Sequence, residues 1–260
     1  MGLREKDVTS AIINCHTKAL NDCLSSDVVI VGAGPSGLVA GSILAQKGYR
    51  ITMFEKRLAP GGGIWGGGMG FKFIMVQEEA IEIVKDFEIP YERHDTSGLY
   101  AIDAIAFASG LIFGAVRSGV QIFNLVTVED LVVRQGRVAG VVINNTFVHM
   151  NHFPIDPLTI EAKAVVDATG HDHDVVRIFS QKNDVELNTP TGKPVGERSL
   201  FAESAEEAVV TNTKEVYPGL YVCGMSTAAV YGGYRMGPIF GGMLLSGKRL
   251  SMLLEEALGS

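Results

Sequence analysis

The stretch Asp27-Val28-Val29-Ile30-Val31-Gly32-Ala33-Gly34-Pro35-Ser36-Gly37 decides how the rest of the chain is read. Asp27–Val31 is a short β-branched run, which suits a strand buried on both faces. Gly32–Gly37 fits the spacing GxGxxG, set between that strand and a predicted helix over Leu38–Gln46. In this pattern Gly32 permits a tight turn, Gly34 lets backbone approach a pyrophosphate, and Gly37 lets helix and strand pack closely. The helix start around Ser36 adds free N–H groups and a positive dipole end. A second strand follows at Arg50–Phe54, and Glu55 closes it at the spacing needed to accept hydrogen bonds from a ribose. A carboxylate there repels a 2′-phosphate, favouring NAD or FAD over NADP, although Lys56 and Arg57 stand beside it as opposing charge.

Outward from this unit, residues 5–22 read as an amphipathic helix with Val8, Ile12 and Ala19 on its apolar stripe. After Glu55 comes a loop dense in glycine (Gly61, Gly62, Gly63, Gly66, Gly67, Gly68, Gly70) around the only tryptophan, Trp65. Residues 77–87 and 102–118 are predicted helices. Short β runs follow at Gln121–Asn124, Val126–Val133, Val138–Asn144, Phe147–Met150 and Ile160–Val166, with a hairpin turn at Gln135-Gly136. The most polar stretch is 183–217; Gly219–Gly224 is a last strand into a turn, and a helix over roughly 237–257 closes the chain. The fold class is α/β: a doubly wound Rossmann-type sheet of the FAD/NAD-binding kind with an antiparallel β insertion. Residues 1–260 read as a single dinucleotide-binding α/β domain, with the small β-rich insertion around 120–166.

With 47% hydrophobic residues the chain can bury a full core. Its 31 glycines are clustered, as tight backbone approaches around phosphates require. A net charge of −7 and the lack of a Lys/Arg block argue against nucleic acid or an anionic membrane as partner. Cys15, Cys23 and Cys223 form neither a CxxC pair nor an even-numbered disulfide framework. Together with the charged start at Arg4–Asp7 and the lack of a long apolar run, this points to a reducing cytoplasm.

Two later segments bear on the ligand. Asp167-Ala168-Thr169-Gly170 resembles the Ala-Thr-Gly strand end of two-domain flavoproteins, and Gly219–Gly224 resembles their late strand. In those proteins the late strand ends in Gly-Asp, and the aspartate holds the ribityl and phosphate region of the flavin. Here Met225 follows Gly224. Lacking that acid, an FAD-dependent oxidoreductase of the same fold ranks behind an NAD-using protein. A non-catalytic dinucleotide-binding module accounts for Gly32–Gly37 and Glu55 but gives Asp156, His171 and Arg235 no purpose.

Over almost its whole length the chain resembles the thiamine thiazole synthase family. The matching segments are Gly32–Gly37, Phe54-Glu55-Lys56 with the glycine loop, Ile155–Ile160, Thr169-Gly170-His171-Asp172, and Tyr231–Gly242 (YGGYRMGPIFGG). The version here is similar to the archaeal and anaerobic bacterial branch. The resemblance implies that NAD is a substrate: nicotinamide leaves, the ADP-ribose opens, glycine condenses as an imine, and sulfur is added. Ring closure then gives an adenylated thiazole carboxylate (ADP-thiazole) for thiamine biosynthesis. It also implies that Ser36, Glu55, Lys56, Gly63 and Val128 contact the dinucleotide with Met225 beside it. Arg235 is implied on the glycine carboxylate, a task that suits the fork of guanidinium donors.

Relatives of the suicidal kind donate sulfur from their own cysteine just before the Asp-Pro pair. That stretch here reads His152-Phe153-Pro154-Ile155-Asp156, and no cysteine occurs between Cys23 and Cys223. Free sulfide must serve instead. The non-suicidal branch uses Fe(II) held by an aspartate and a histidine, which carry over to Asp156 and His171; this donor pair suits a divalent first-row metal. Non-cysteine relatives commonly carry histidine where Pro154 stands; His152 is two residues away, and His149 and His173 are read as neighbours rather than ligands. The resemblance further implies a homo-octamer whose sites are shared between subunits.

Overall fold

A computed structural model describes residues 2–94 and 97–259. At its centre is an eight-stranded sheet. Its main path runs Lys214–Tyr217, Leu220–Val222, Leu158–Asp167, Ser25–Val31, Ile51–Glu55, Gln121–Asn124. Ser25–Val31 is parallel to both its neighbours, with Val31 opposite Phe54 on one side and Asp167 on the other. The antiparallel hairpin Val126–Arg134 and Arg137–Asn145 joins the N-terminal half of Leu158–Asp167, whose C-terminal half pairs in parallel with Leu220–Val222. This is the Rossmann-type α/β sheet with an antiparallel addition that the sequence predicts.

Alternation along the first strand explains its β-branched composition. Val28 and Ile30 enter one apolar cluster with Leu38, Met53, Phe107 and Leu111, whereas Val29 and Val31 enter another with Phe54, Val165, Val175 and Phe179. Burying each such side chain contributes roughly 1.5–3 kcal/mol, so this short strand is a principal anchor of both layers. The helices Pro35–Gln46, Ala104–Arg117 and Gly241–Gly259 cover the first face. The hairpin and the helix Asp174–Lys182 cover the second. Pro35–Gln46 meets the last helix so closely that a Cβ on Gly247 would lie 2.4 Å from the Ser36 carbonyl oxygen.

Several elements depart from the sequence reading. Phe147–Met150 is part of a helix, Thr146–Met150, capped where the Asn145 side chain accepts from Phe147 N–H at 2.9 Å. The expected helix over 77–87 starts as a 3₁₀ turn and becomes α-helical only over Ile81–Asp86, because Phe73–Gln77 is a strand. That strand, Leu99–Asp103 and Glu92–His94 form a separate antiparallel sheet that periodicity alone missed. Inside the polar stretch lies a further helix, Ala202–Thr211. The last helix begins at Gly241 rather than near 237, since Gly237 has φ +77 and a proline follows.

The first helix, Glu5–Cys23, buries only Cys23. Most of its expected apolar stripe is uncovered within one chain: Ile12 is 63% exposed and Val8 and Ile13 are exposed too, whereas Ala19 is half-buried. No helix among the described residues is long and apolar enough to cross a membrane.

Candidate active site

The C-terminal ends of the central parallel strands open into a cavity of about 910 Å³. The glycine turn forms its floor. Gly32 has φ +98, and a Cβ there would lie 2.4 Å from the Ala168 carbonyl oxygen, so only glycine fits between the two strand ends. A Cβ on Gly37 would meet the Gly32 carbonyl oxygen at 2.7 Å, which is the close helix–strand packing expected of that position. Gly34, by contrast, faces open space: a Cβ there would touch nothing within 4 Å. The backbone beside it is free to meet a ligand. Gly61 N–H donates to the Ala33 carbonyl at 2.7 Å, clamping the glycine loop and Gly63 over the turn.

Glu55 does more than close its strand. It is 5% exposed, and its carboxylate accepts from Ala33 N–H at 3.0 Å and from Arg57 N–H at 2.8 Å. The acid therefore braces the glycine turn from the neighbouring strand while facing the cavity. Lys56 is engaged as well, 2.8 Å from Asp174 and 3.3 Å from Asp172. Burial works to lower its pKa, but these two carboxylates outweigh it and raise the ammonium above the usual lysine range. Burial likewise works to raise Asp174, and Lys56 and Arg177 reverse the sign and lower it.

The loop carrying His171 is stapled by Asp167, which is fully buried at the end of its strand. One carboxylate oxygen accepts from Thr169 N–H, Thr169 Oγ1 and Ser226 Oγ, and the other accepts from Val176 N–H at 2.9 Å. His171 follows in a 3₁₀ turn, Gly170–Asp172, with its ring half exposed at the cavity wall. Its Nδ1 lies 2.5 Å from Glu197 Oε1. His173 Nδ1 donates to the His171 carbonyl at 3.2 Å.

The turn after the strand Leu220–Val222 carries Gly224, where a Cβ would lie 2.5 Å from Ser36 Oγ. That tight approach seats Met225 against the glycine turn as a buried cavity residue. Val128 reaches the cavity from the hairpin. Arg235 comes from a short strand, Tyr234–Arg235, paired with Arg198–Leu200. Thus one cavity gathers Gly32, Gly34, Ser36, Glu55, Lys56, Gly63, Val128, His171, Met225 and Arg235, with Gly37 directly behind the turn.

Asp156 is not among them. It lies on an exposed segment after the helix Thr146–Met150, outside the cavity lining, and its side chain has no hydrogen bond or ion pair among the described residues. His149 of that region pairs instead with Glu129 at 3.1 Å. No group of three His, Cys, Asp or Glu suited to a metal occurs among the described residues of one chain. The sequence reading missed Asp167 and Glu197. An Asx-type turn at Asp167-x-Thr169 was a usable signal for the first; nothing local marks the second.

The fold and site define a Rossmann-type α/β protein with a deep cavity over its glycine turn. The chain belongs to the Thi4 family, whose sequence model matches residues 9–240. It is 50% identical to the thiamine thiazole synthase of Pyrococcus furiosus over 257 residues, covering 99% of each chain. It is 46% identical to that of Methanothermobacter thermautotrophicus over 258 residues, covering 99% of this chain and 100% of that one. Among solved structures, the crystal structure of Thermovibrio ammonificans THI4 superposes with a TM-score of 0.97 at 48% identity, covering both chains completely.

Proposed function

We propose that the chain is a thiamine thiazole synthase that consumes NAD, glycine and free sulfide with Fe(II) and releases ADP-thiazole. The observation that carries this reading is one cavity lined by the glycine turn, Glu55, His171 and Arg235 together, and by no cysteine. The names of its near full-length relatives support the activity.

In this reading the pyrophosphate of NAD lies on the turn Gly32–Gly37 at the start of the helix Pro35–Gln46, where unpaired N–H groups face it. Glu55 accepts from the ribose hydroxyls with the lone pairs that Ala33 and Arg57 leave over. Lys56, Gly63, Val128 and Met225 complete that wall. Glycine condenses as an imine with the carbonyl of the opened ribose, and Arg235 holds its carboxylate through paired donors. Sulfur comes from solution. Cys23 and Cys223 are buried, and burial pushes both thiols up, away from the thiolate needed for transfer. Cys15 is on the outer helix.

The donor chemistry fits Fe(II), in that His171 stands at the cavity wall and its Nε2 is left open by the contact at Nδ1. Asp156, exposed and without a partner among the described residues, would complete the pair from a second copy of the chain. When bound, the ion supplies Lewis acidity and open positions for sulfide beside the substrate. The uncovered apolar residues Val8, Ile12 and Ile13 support assembly into an oligomer, taken as an octamer. A reducing cytoplasm suits free thiols, sulfide and ferrous iron together.

The test is an anaerobic assay with mass-spectrometric detection of ADP-thiazole, omitting NAD, glycine, sulfide and Fe(II) one at a time. Product should require all four. Product without sulfide would overturn the sulfur assignment. A yellow preparation with bound FAD and no thiazole product would favour the oxidoreductase reading.

A further inference from the structure

We propose that Glu197 is a positioning residue of this site, fixing the His171 tautomer with one carboxylate oxygen while the other lies at ion-pair range of Arg235. Its Oε1 lies 2.5 Å from His171 Nδ1 and its Oε2 lies 3.9 Å from Arg235 Nε. A carboxylate can only accept, so His171 Nδ1 carries the hydrogen. A neutral imidazole has one N–H, and Nε2 is therefore left with its lone pair, as a metal ligand or proton acceptor requires. Arg235 lies at ion-pair range of the second oxygen without a direct hydrogen bond.

Burial fits a supporting role. The Glu197 side chain is 18% exposed, whereas His171 and Arg235 are 49% and 58% exposed. Both partners line the cavity and Glu197 does not. Its backbone is pinned on either side: Gly196 N–H donates to the Ala229 carbonyl at 2.8 Å and Arg198 N–H to the Gly233 carbonyl at 2.9 Å. Arg198–Leu200 then pairs with the strand bearing Arg235, so Glu197 and Arg235 are tied to one another. The His171 loop is anchored through Asp167 and Ser226. Glu197 thus joins two segments of the site that are both held against the helix Ser226–Tyr231.

For the neutral ring the tautomer follows from this geometry; its use in presenting a ligand to Fe(II) rests on the proposed function. The test uses full-length, metal-free protein labelled with ¹⁵N in its histidine rings, at a pH where the imidazole is neutral, with His171 assigned by His171→Ala. The wild type should show a protonated Nδ1 and an unprotonated Nε2. Glu197→Ala should shift the ring toward Nε2–H, and Glu197→Gln, whose carbonyl still accepts, should restore the wild-type pattern. Titration with Fe(II) alone should give an affinity about 10–100-fold weaker for Glu197→Ala and near-wild-type for Glu197→Gln. Should Glu197→Ala not fold, Glu197→Asp, with its carboxylate drawn back by one methylene, gives the same reading. Identical ring shifts in wild type and Glu197→Ala, or in wild type and Glu197→Asp where the alanine variant does not fold, would overturn the proposal. Shifts as expected in a protein that makes no thiazole would leave Glu197 in place and remove the function instead.

Discussion

Replacing Glu206 by glutamine should stabilise the protein, and more so as the pH rises. Glu206 projects from the helix Ala202–Thr211 toward the start of the last helix. Its Oε2 accepts from Gly242 N–H at 2.7 Å and from Gln77 Nε2. Glu206 Oε1 and Gln77 Oε1 are both buried without a hydrogen-bond partner among the described residues. An acid–amide pair joined by one arm leaves two acceptors short of a single hydrogen. Protonating Glu206 provides it; so does an amide N–H from glutamine at the same position. Burial, assisted by the charge of Glu79, pushes the Glu206 carboxyl above the usual range, against the opposing hydrogen bonds from Gln77 and Gly242. The folded state therefore holds a proton more firmly than the unfolded chain. The stability this confers is complete below the ordinary glutamate range and is lost as pH climbs through the raised value.

A buried polar group left unpaired costs about 1–3 kcal/mol. Glu206→Gln should therefore gain stability of about 1–3 kcal/mol once the pH has climbed past the raised value and the carboxylate is ionised. For a chain of this size each kcal/mol moves Tm by roughly 2–4 °C. Thermal unfolding of both proteins from about pH 5 to about pH 8 measures it; the gap should widen with pH. A variant no more stable than wild type once the carboxylate is ionised, or a gain that is the same at every pH, would refute the reasoning.

Two further outcomes follow from the site. Glu55→Ala strips the acceptor from Ala33 and Arg57 N–H, so stability should fall by about 1–3 kcal/mol or more and NAD affinity, read by calorimetry, by at least about tenfold; unchanged NAD affinity would remove Glu55 from the site. Thiol titration of the native protein should leave Cys23 and Cys223 unmodified until denaturant is added, and rapid native labelling of Cys223 would contradict its burial.

The local message of the sequence was strong wherever backbone geometry allows only one residue type. Gly32 has no room for a Cβ and Gly37 almost none, so these two glycines announce the turn from the sequence alone. The β-branched run Val28–Val31 likewise declares a strand covered on both faces, because each alternate side chain must find apolar cover. Long-range arrangement was another matter. Phe147–Met150 has the composition of a strand, yet the Asn145 cap makes it helical. The meeting of His171 with Glu197, 26 residues on, and of Glu197 with Arg235 depends on a two-strand pairing that no periodicity encodes. Asp156 marks the far end of that scale: its residue type speaks for metal chemistry, but within one chain the fold leaves it at the surface, away from the cavity. Residue types and spacings fix the chemistry on offer, because turns and caps are decided within a few bonds; which groups meet is decided by packing across the sheet, where contacts join residues far apart in the chain.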